Sequence, residues 1–105
     1  MQLSDRKCQP CEGNIPSLTE AEINSFLKQV PSWEIKNSHV FRQFKFKNFI
    51  EAMKFVNKIA ETAENEGHHP DISIHYNKVE IEIWTHAVNG LSENDFILAA
   101  KISEF

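Results

Sequence analysis

The chain has 105 residues, of which 41% are hydrophobic and 25% charged, enough for one domain with one hydrophobic core. Its 11 Lys and Arg residues against 15 Asp and Glu residues give a net charge of -4 at pH 7. This mildly acidic balance lacks the basic surface that direct nucleic-acid binding requires. No apolar stretch has the length of a membrane span or of a signal peptide, so we expect a cytoplasmic protein without membrane contact.

Residues 1–17 are expected to form an irregular leader, because Pro and Gly residues disfavour regular structure there. Cys8 and Cys11 form a Cys-x-x-Cys pair within it. Structural zinc needs four ligands, and no second pair at zinc spacing follows; a thioredoxin-like motif would lie between a strand and a helix. We interpret the pair as incidental, with a reversible disulfide and a weak metal site as the alternatives.

Three helices are indicated by capping residues and by apolar residues at helical spacing. The first begins after Thr19 and stops before Pro31. The second and longest begins after Asn48 and ends at Gly67, since glycine favours the left-handed conformation that closes many helices. The third begins after Ser92.

Two β-hairpins are indicated by alternating apolar and polar residues. The first covers residues 33–47 with a turn at Asn37-Ser38, and the second follows the longest helix with Asn77-Lys78 as its two-residue turn. The order α-β-β-α-β-β-α predicts an α+β fold, with a four-stranded antiparallel sheet and three helices on one face. We expect residues 18–105 to form a single domain.

The candidate site lies at the open end of the second hairpin. His68 and His69 precede its first strand, and His86 follows its second. A turn at Asn77-Lys78 would place His69 opposite His86, at the spacing of about 4.5–5.5 Å between facing Cβ atoms. His86 would share a strand face with Trp84, which we therefore include as a candidate substrate-binding residue.

Two carboxylates accompany the histidines: Glu64 lies one helical turn before His68, and Asp95 lies in the first turn of the last helix. Asp95 is equally explained as the acidic residue of a helix cap. Imidazole both donates and accepts protons near neutral pH, so the set suits a paired acid–base reaction such as loss of water. A histidine metal site is the alternative, although the spacing matches no standard zinc motif.

These residues resemble a known family signature. The pattern Glu64-x3-His68-His69-Pro70-x5-Tyr76-x9-His86-x8-Asp95 is similar to that of the pterin-4a-carbinolamine dehydratases. The resemblance extends over residues 18–105, and the leader resembles that of bacterial-type members. It implies the family's α-β-β-α-β-β-α fold and the dehydration of a 4a-hydroxytetrahydropterin to quinonoid dihydropterin, with no metal and no cofactor.

The resemblance also implies roles and partners. His68, His69 and His86 are implied as catalytic, with Glu64 and Asp95 as supporting acids. The substrate links the chain to an aromatic amino-acid hydroxylase, and the family forms homodimers or homotetramers. Unpaired edge strands and a final helix that is apolar nearly all round also favour an oligomer.

Two positions depart from the animal members, which often have Trp at the place of Ile72 and Arg at the place of Asn94. Animal members also serve as dimerisation cofactors of a homeodomain transcription factor. The alternative function is a non-catalytic dimerisation or regulatory module, because the final helix is apolar nearly all round and such a helix needs covering on more than one side.

Overall fold

The computed structural model describes residues 3–9 and 16–105. The helices and strands follow in the order α1 (Glu20–Leu27), β1 (Glu34–Lys36), β2 (His39–Lys45), α2 (Phe49–Glu66), β3 (Asp71–His75), β4 (Lys78–Ile83) and α3 (Glu93–Ile102). Short 3-10 helices cover Leu3–Asp5 and His86–Val88. The strands form an antiparallel sheet in the order β1-β2-β4-β3. The predicted α+β class and element order are confirmed.

The helix ends follow from local chemistry. Thr19 and Glu22 form a reciprocal capping box, with N···O distances of 2.8 and 3.2 Å. At the start of α2, the Asn48 side chain accepts a hydrogen bond from the Glu51 N–H at 2.9 Å. Gly67 ends α2 with φ of 66°, in the left-handed region. No helix of the described ranges is long and apolar enough to cross a membrane.

One face of the sheet packs against the helices. Its fully buried members are Val40, Val79, Ile81 and Ile83, and α2 covers them with Ala52, Phe55, Ile59 and Ala63. α1 packs on α3 through the stacked rings of Phe26 and Phe96, whose centroids are 5.2 Å apart. This arrangement leaves the other sheet face, with its charged residues, outside the core.

The final helix is the centre of this core. Phe96, Leu98, Ala99 and Ile102 of α3 are fully buried within the single chain. Its apolar circumference, from which we predicted a partner subunit, is therefore covered by the chain's own sheet and helices. The apolar circumference of α3 is therefore no evidence for an oligomer. The prediction of an oligomer must rest on other observations.

The first hairpin turn is confirmed, and the second is one residue away from its predicted position. Asn37 and Ser38 have φ of 53° and 65°, as a two-residue hairpin turn with two left-handed residues requires. The second turn is Tyr76-Asn77, because His75 faces Lys78 across the hairpin.

Asn77 explains the shift of the second turn. Its side-chain amide donates to the Phe46 carbonyl at 2.9 Å, and the Phe46 N–H donates to the Asn77 carbonyl at 2.8 Å. These bonds hold Asn77 at the end of β2. Moving a two-residue turn by one position shifts each facing pair by two, so Ser73 faces Glu80 instead of Glu82. Side chains keep their predicted faces because the shift is even.

Candidate active site

The end of α2 sets the position of two of the three candidate histidines. Gly67 reverses the backbone, and the His68 N–H closes the helix end by donating to the Ala63 carbonyl at 3.2 Å. His68 and His69 therefore emerge between the last turn of α2 and the first residue of β3. His86 begins the 3-10 helix that follows β4, at the same end of the sheet.

A cavity of about 820 Å³ opens at this end. Five of the six sequence-predicted site residues line it: Glu64, His68, His69, Trp84 and His86. The sixth, Asp95, lies behind the lining and reaches the cavity through His68. Cavities of this size are typical of small-molecule sites.

Asp95 is a buried acceptor of several hydrogen bonds. Its Oδ1 lies 2.6 Å from His68 Nε2, and its two oxygens accept from the Thr85 hydroxyl at 3.0 Å. It also accepts from the Ser92 N–H at 2.9 Å, so the cap predicted for α3 is present as well. The two interpretations of Asp95 are therefore compatible, since one carboxylate caps the helix and holds the imidazole.

Glu64 holds His69 in a similar geometry but on the surface. Glu64 Oε1 lies 2.7 Å from His69 Nε2, and the two side chains are 78% and 59% exposed. In both His68 and His69 the carboxylate engages Nε2. Among residues 3–9 and 16–105, Nδ1 of each ring has no hydrogen-bond partner.

The expected pairing of His86 with His69 across two strands is wrong. β4 ends at Ile83, and the Thr85 N–H donates to the Gly90 carbonyl at 2.9 Å, which closes a loop around His86. His86 meets His69 through the shared cavity and not through the sheet register. Its imidazole lies against the Trp84 indole, with ring centroids 3.7 Å apart.

His39 is a neighbour of this site that sequence reasoning missed. Its ring stacks on Trp84 with centroids 4.7 Å apart and an angle of 8° between planes. His39 Nδ1 also lies 3.2 Å from a Glu82 oxygen. The register of β2 and β4, which pairs Val40 with Ile83, continues to place His39 beside Trp84. This register could not be predicted from the sequence, because the sequence does not show that β2 pairs with β4.

The leader is the second missed component. Lys7, Cys8 and Gln9 line the cavity together with Asn94. Residues 3–9, expected to be irregular, include the Leu3–Asp5 3-10 helix, and Leu3 and Cys8 are buried. Any pairing of Cys8 with Cys11 lies outside the described residues.

The Cys8 thiol and the Glu66 carboxylate influence each other. Burial and the nearby Glu66 charge raise the pKa of Cys8 to about 12. Burial alone would raise the pKa of Glu66, but the hydrogen bond from the Cys8 N–H and the charges of Lys101 and Lys7 outweigh it and lower the pKa. The result is a neutral thiol beside an ionised carboxylate at neutral pH.

The arrangement offers three imidazoles at one cavity, two of them bonded to carboxylates. Within the part of the chain that the structure describes, no group of three His, Cys, Asp or Glu side chains could hold a metal ion. Imidazole can give or take a proton near neutral pH and is the side chain most often used in general acid–base catalysis.

Comparison with known proteins identifies the family. Residues 16–105 match the family model described as Pterin 4 alpha carbinolamine dehydratase. The chain belongs to this family. Membership makes it a dehydratase, which is a hydro-lyase, and agrees with the resemblance noted in the sequence.

Individual relatives support this membership. A Rickettsia canadensis protein provisionally named pterin-4-alpha-carbinolamine dehydratase is 49% identical over 102 residues, which cover 95% of this chain and 94% of the relative. A Nitrosomonas eutropha protein of the same provisional name is 48% identical, and the match covers 95% of this chain and 89% of the relative. The crystal structure of a transcriptional coactivator/pterin dehydratase from Brucella melitensis is 36% identical, with a TM-score of 0.80 over 84% of this chain and 96% of that one.

Proposed function

We propose that this dehydratase acts on a 4a-hydroxytetrahydropterin by histidine acid–base catalysis, with His68, His69 and His86 as the catalytic residues. By this proposal it recycles the pterin cofactor of an aromatic amino-acid hydroxylase. The observation that carries the proposal is the convergence of three imidazoles on one cavity in a member of this family.

The proposed reaction needs two proton transfers. A protonated imidazole gives its proton to the 4a-hydroxyl, the bond between C4a and oxygen breaks, and water leaves. A neutral imidazole takes the N5 proton, and the electron pair of the N–H bond forms the double bond between C4a and N5. One proton is given and one is taken, so the reaction uses no oxidant and no reductant.

The supporting residues have distinct roles in this proposal. The buried Asp95 carboxylate fixes the orientation of the His68 ring. Glu64 orients His69 at the cavity rim. Trp84 forms the surface against which His86 lies.

The test is the rate of dehydration of a synthetic 4a-hydroxytetrahydropterin, followed by stopped flow. We expect His69→Ala and His86→Ala each to lower kcat by about 10²–10⁴-fold, the usual contribution of an acid–base group. His75→Ala is the matched control, because His75 also lies near a carboxylate, with 3.8 Å to Glu80, but outside the cavity. Full activity in both site variants would refute the assignment of the histidines.

A second candidate function is favoured by the name of the Brucella melitensis protein, which joins a coactivator role to the dehydratase. By this alternative the chain is a non-catalytic dimerisation or regulatory module. The same assay separates the two, since a module would not accelerate dehydration in the wild-type chain.

We also propose that the chain forms a homodimer or homotetramer. β1 and β3 are the edges of the sheet, and Ile74 on β3 is 38% exposed. Unpaired edges with apolar side chains favour pairing with a second copy. Light scattering at micromolar concentration tests this, and a monomeric mass would contradict it. The Leu98→Glu variant, which the sequence suggested as a probe of the interface, cannot serve that purpose. Leu98 is fully buried within the single chain, so a Glu at this position would unfold the protein.

A further inference from the structure

His86 differs from the other two candidate histidines in what holds its ring. Carboxylates engage the His68 and His69 rings at 2.6 and 2.7 Å. Within residues 3–9 and 16–105, the His86 imidazole has no hydrogen-bond partner, and the residue is exposed. Its ring instead packs against the Trp84 indole, with centroids 3.7 Å apart and an angle of 41° between planes. The orientation of the His86 ring therefore depends on where the indole lies.

The Trp84 indole is in turn held by side chains of two other strands. Its Nε1–H donates to an Asp71 oxygen on β3 at 3.4 Å, which is long for a hydrogen bond. From β2, the His39 ring stacks on the indole with centroids 4.7 Å apart and an angle of 8° between planes. Nearly parallel rings at this separation fit the offset stacking that aromatic pairs favour. The stack covers a face of the indole, whereas the long hydrogen bond touches only its edge.

The His39 ring holds the indole from a fixed place. β2 and β4 pair Val40 with Ile83, and side chains that face each other across antiparallel strands have Cβ atoms about 4.5–5.5 Å apart. The same register puts His39 beside Trp84. His39 Nδ1 lies 3.2 Å from a Glu82 oxygen, and these two side chains are only 23% and 32% exposed. The strand pairing and this contact together limit the movement of the His39 ring.

We propose that His39 is a positioning residue for His86 and acts through the Trp84 indole. The His39 ring restricts the indole, and the indole restricts the imidazole, so His86 keeps its orientation although no carboxylate holds it. His39 itself does not line the cavity. The inference rests on the proposed function, in which His86 is catalytic, and adds a residue that acts on His86 from outside the cavity.

The first experiment measures kcat for the dehydration of a 4a-hydroxytetrahydropterin in the full chain. We expect His39→Ala to lower kcat by about three- to tenfold, the factor that the loss of one aromatic stack produces in an equilibrium. His39→Phe keeps a ring on the indole without the contact to Glu82, and we expect its kcat to stay within about twofold of the wild type. Full activity in His39→Ala, or an equal loss in His39→Phe, would overturn the inference.

His75→Ala is the matched control. His75 lies on the same outer face of the sheet as Glu80 and is 3.8 Å from its carboxylate, as His39 is near Glu82. In the part of the chain that the structure describes, the His75 ring stacks on no aromatic side chain. We expect His75→Ala to leave kcat unchanged. A loss equal to that of His39→Ala would mean that any histidine on this face matters equally, which contradicts the inference.

A double-mutant cycle tests whether His39 acts through the indole. In a Trp84→Ala background the His39 ring has no indole to hold. We therefore expect His39→Ala to lower kcat by less than about twofold further in that background, since coupled residues are not additive. A further loss as large as the loss in the wild-type background would show that His39 acts independently of Trp84, and the inference would fail.

The orientation of His86 can also be measured without turnover. The ring current of an indole displaces the NMR signals of protons close to its face. We expect His39→Ala to reduce this displacement for the His86 ring protons and His39→Phe to preserve it. An unchanged His86 signal in His39→Ala would overturn the inference. Should His39→Ala not fold, His39→Leu fills the same place without an aromatic ring and decides by the same measurements, with the same expected losses.

Failure of this inference is distinguishable from failure of the proposed function. The proposed function fails if the wild-type chain does not accelerate dehydration, or if His86→Ala retains full activity. The His39 inference fails if the wild-type chain is active and His86→Ala is impaired, but His39→Ala keeps full kcat or leaves the His86 signal unchanged. The NMR measurement tests the positioning of His86 in either case.

Discussion

Two imidazole–carboxylate pairs lie at the same cavity. Their N···O distances are nearly equal, but one pair is buried and the other is exposed to solvent. His68 and Asp95 are 2.6 Å apart with side chains 12% and 0% exposed, whereas His69 and Glu64 are 2.7 Å apart and 59% and 78% exposed. Solvent competes for every hydrogen bond of the second pair and for almost none of the first. Two pairs with nearly equal N···O distances therefore contribute differently to stability. The contribution of each pair depends on its burial and on the number of its further hydrogen-bond partners.

Under the proposed function, the difference suits a site that must move two protons. Asp95 has three kinds of donor around it, from His68, Thr85 and Ser92, so the His68 ring is held in one orientation. The His69 ring can reorient at little cost, since water can replace Glu64. If the proposed function holds, one fixed and one adjustable imidazole could serve different positions of the 4a-hydroxyl.

The largest expected effect comes from removing the buried partner. Asp95→Ala leaves the Thr85 hydroxyl, the Ser92 N–H and the His68 ring without their shared acceptor. We expect the free energy of unfolding to fall by about 3–5 kcal/mol, as for other broken buried pairs. Urea denaturation measures this, and a loss below about 1 kcal/mol would show that Asp95 is better solvated than its burial indicates.

The next effect concerns Glu66, a carboxylate of intermediate exposure on the same helix as Glu64. Its pKa is lowered in the folded chain, so it stabilises the fold above its unfolded pKa of about 4.3, and this contribution is lost as the pH falls through the folded value. We expect the free energy of unfolding to fall less steeply below pH of about 4.3 in Glu66→Gln than in the wild type. Parallel pH profiles would contradict the prediction.

The smallest effect is expected for the exposed partner. Glu64→Ala removes a carboxylate that is 78% exposed, and surface ion pairs contribute little to stability. We expect the free energy of unfolding to change by less than about 0.5 kcal/mol in the urea experiment used for Asp95→Ala. A loss comparable to that of Asp95→Ala would remove the distinction between the two pairs.

Local signals were sufficient for the elements of this fold. Capping residues such as Thr19 and Asn48 and the left-handed Gly67 act within one helical turn, so their effect is visible without a partner. The family signature also brought the three histidines together without any knowledge of strand register. The turn at Tyr76-Asn77 escaped prediction because Phe46, 31 residues away, holds Asn77.

The sequence by itself determined the order of helices and strands, the two faces of the sheet and the family, because each depends on periodicity, on caps or on a motif contained in the chain's own order. The tertiary structure alone decided that the carboxylate capping α3 also holds His68, that His39 stacks on Trp84 and that the leader lines the cavity. These contacts join residues from 27 to 85 positions apart. Their existence depends on how the helices and strands pack, and a spacing along the chain carries no record of that.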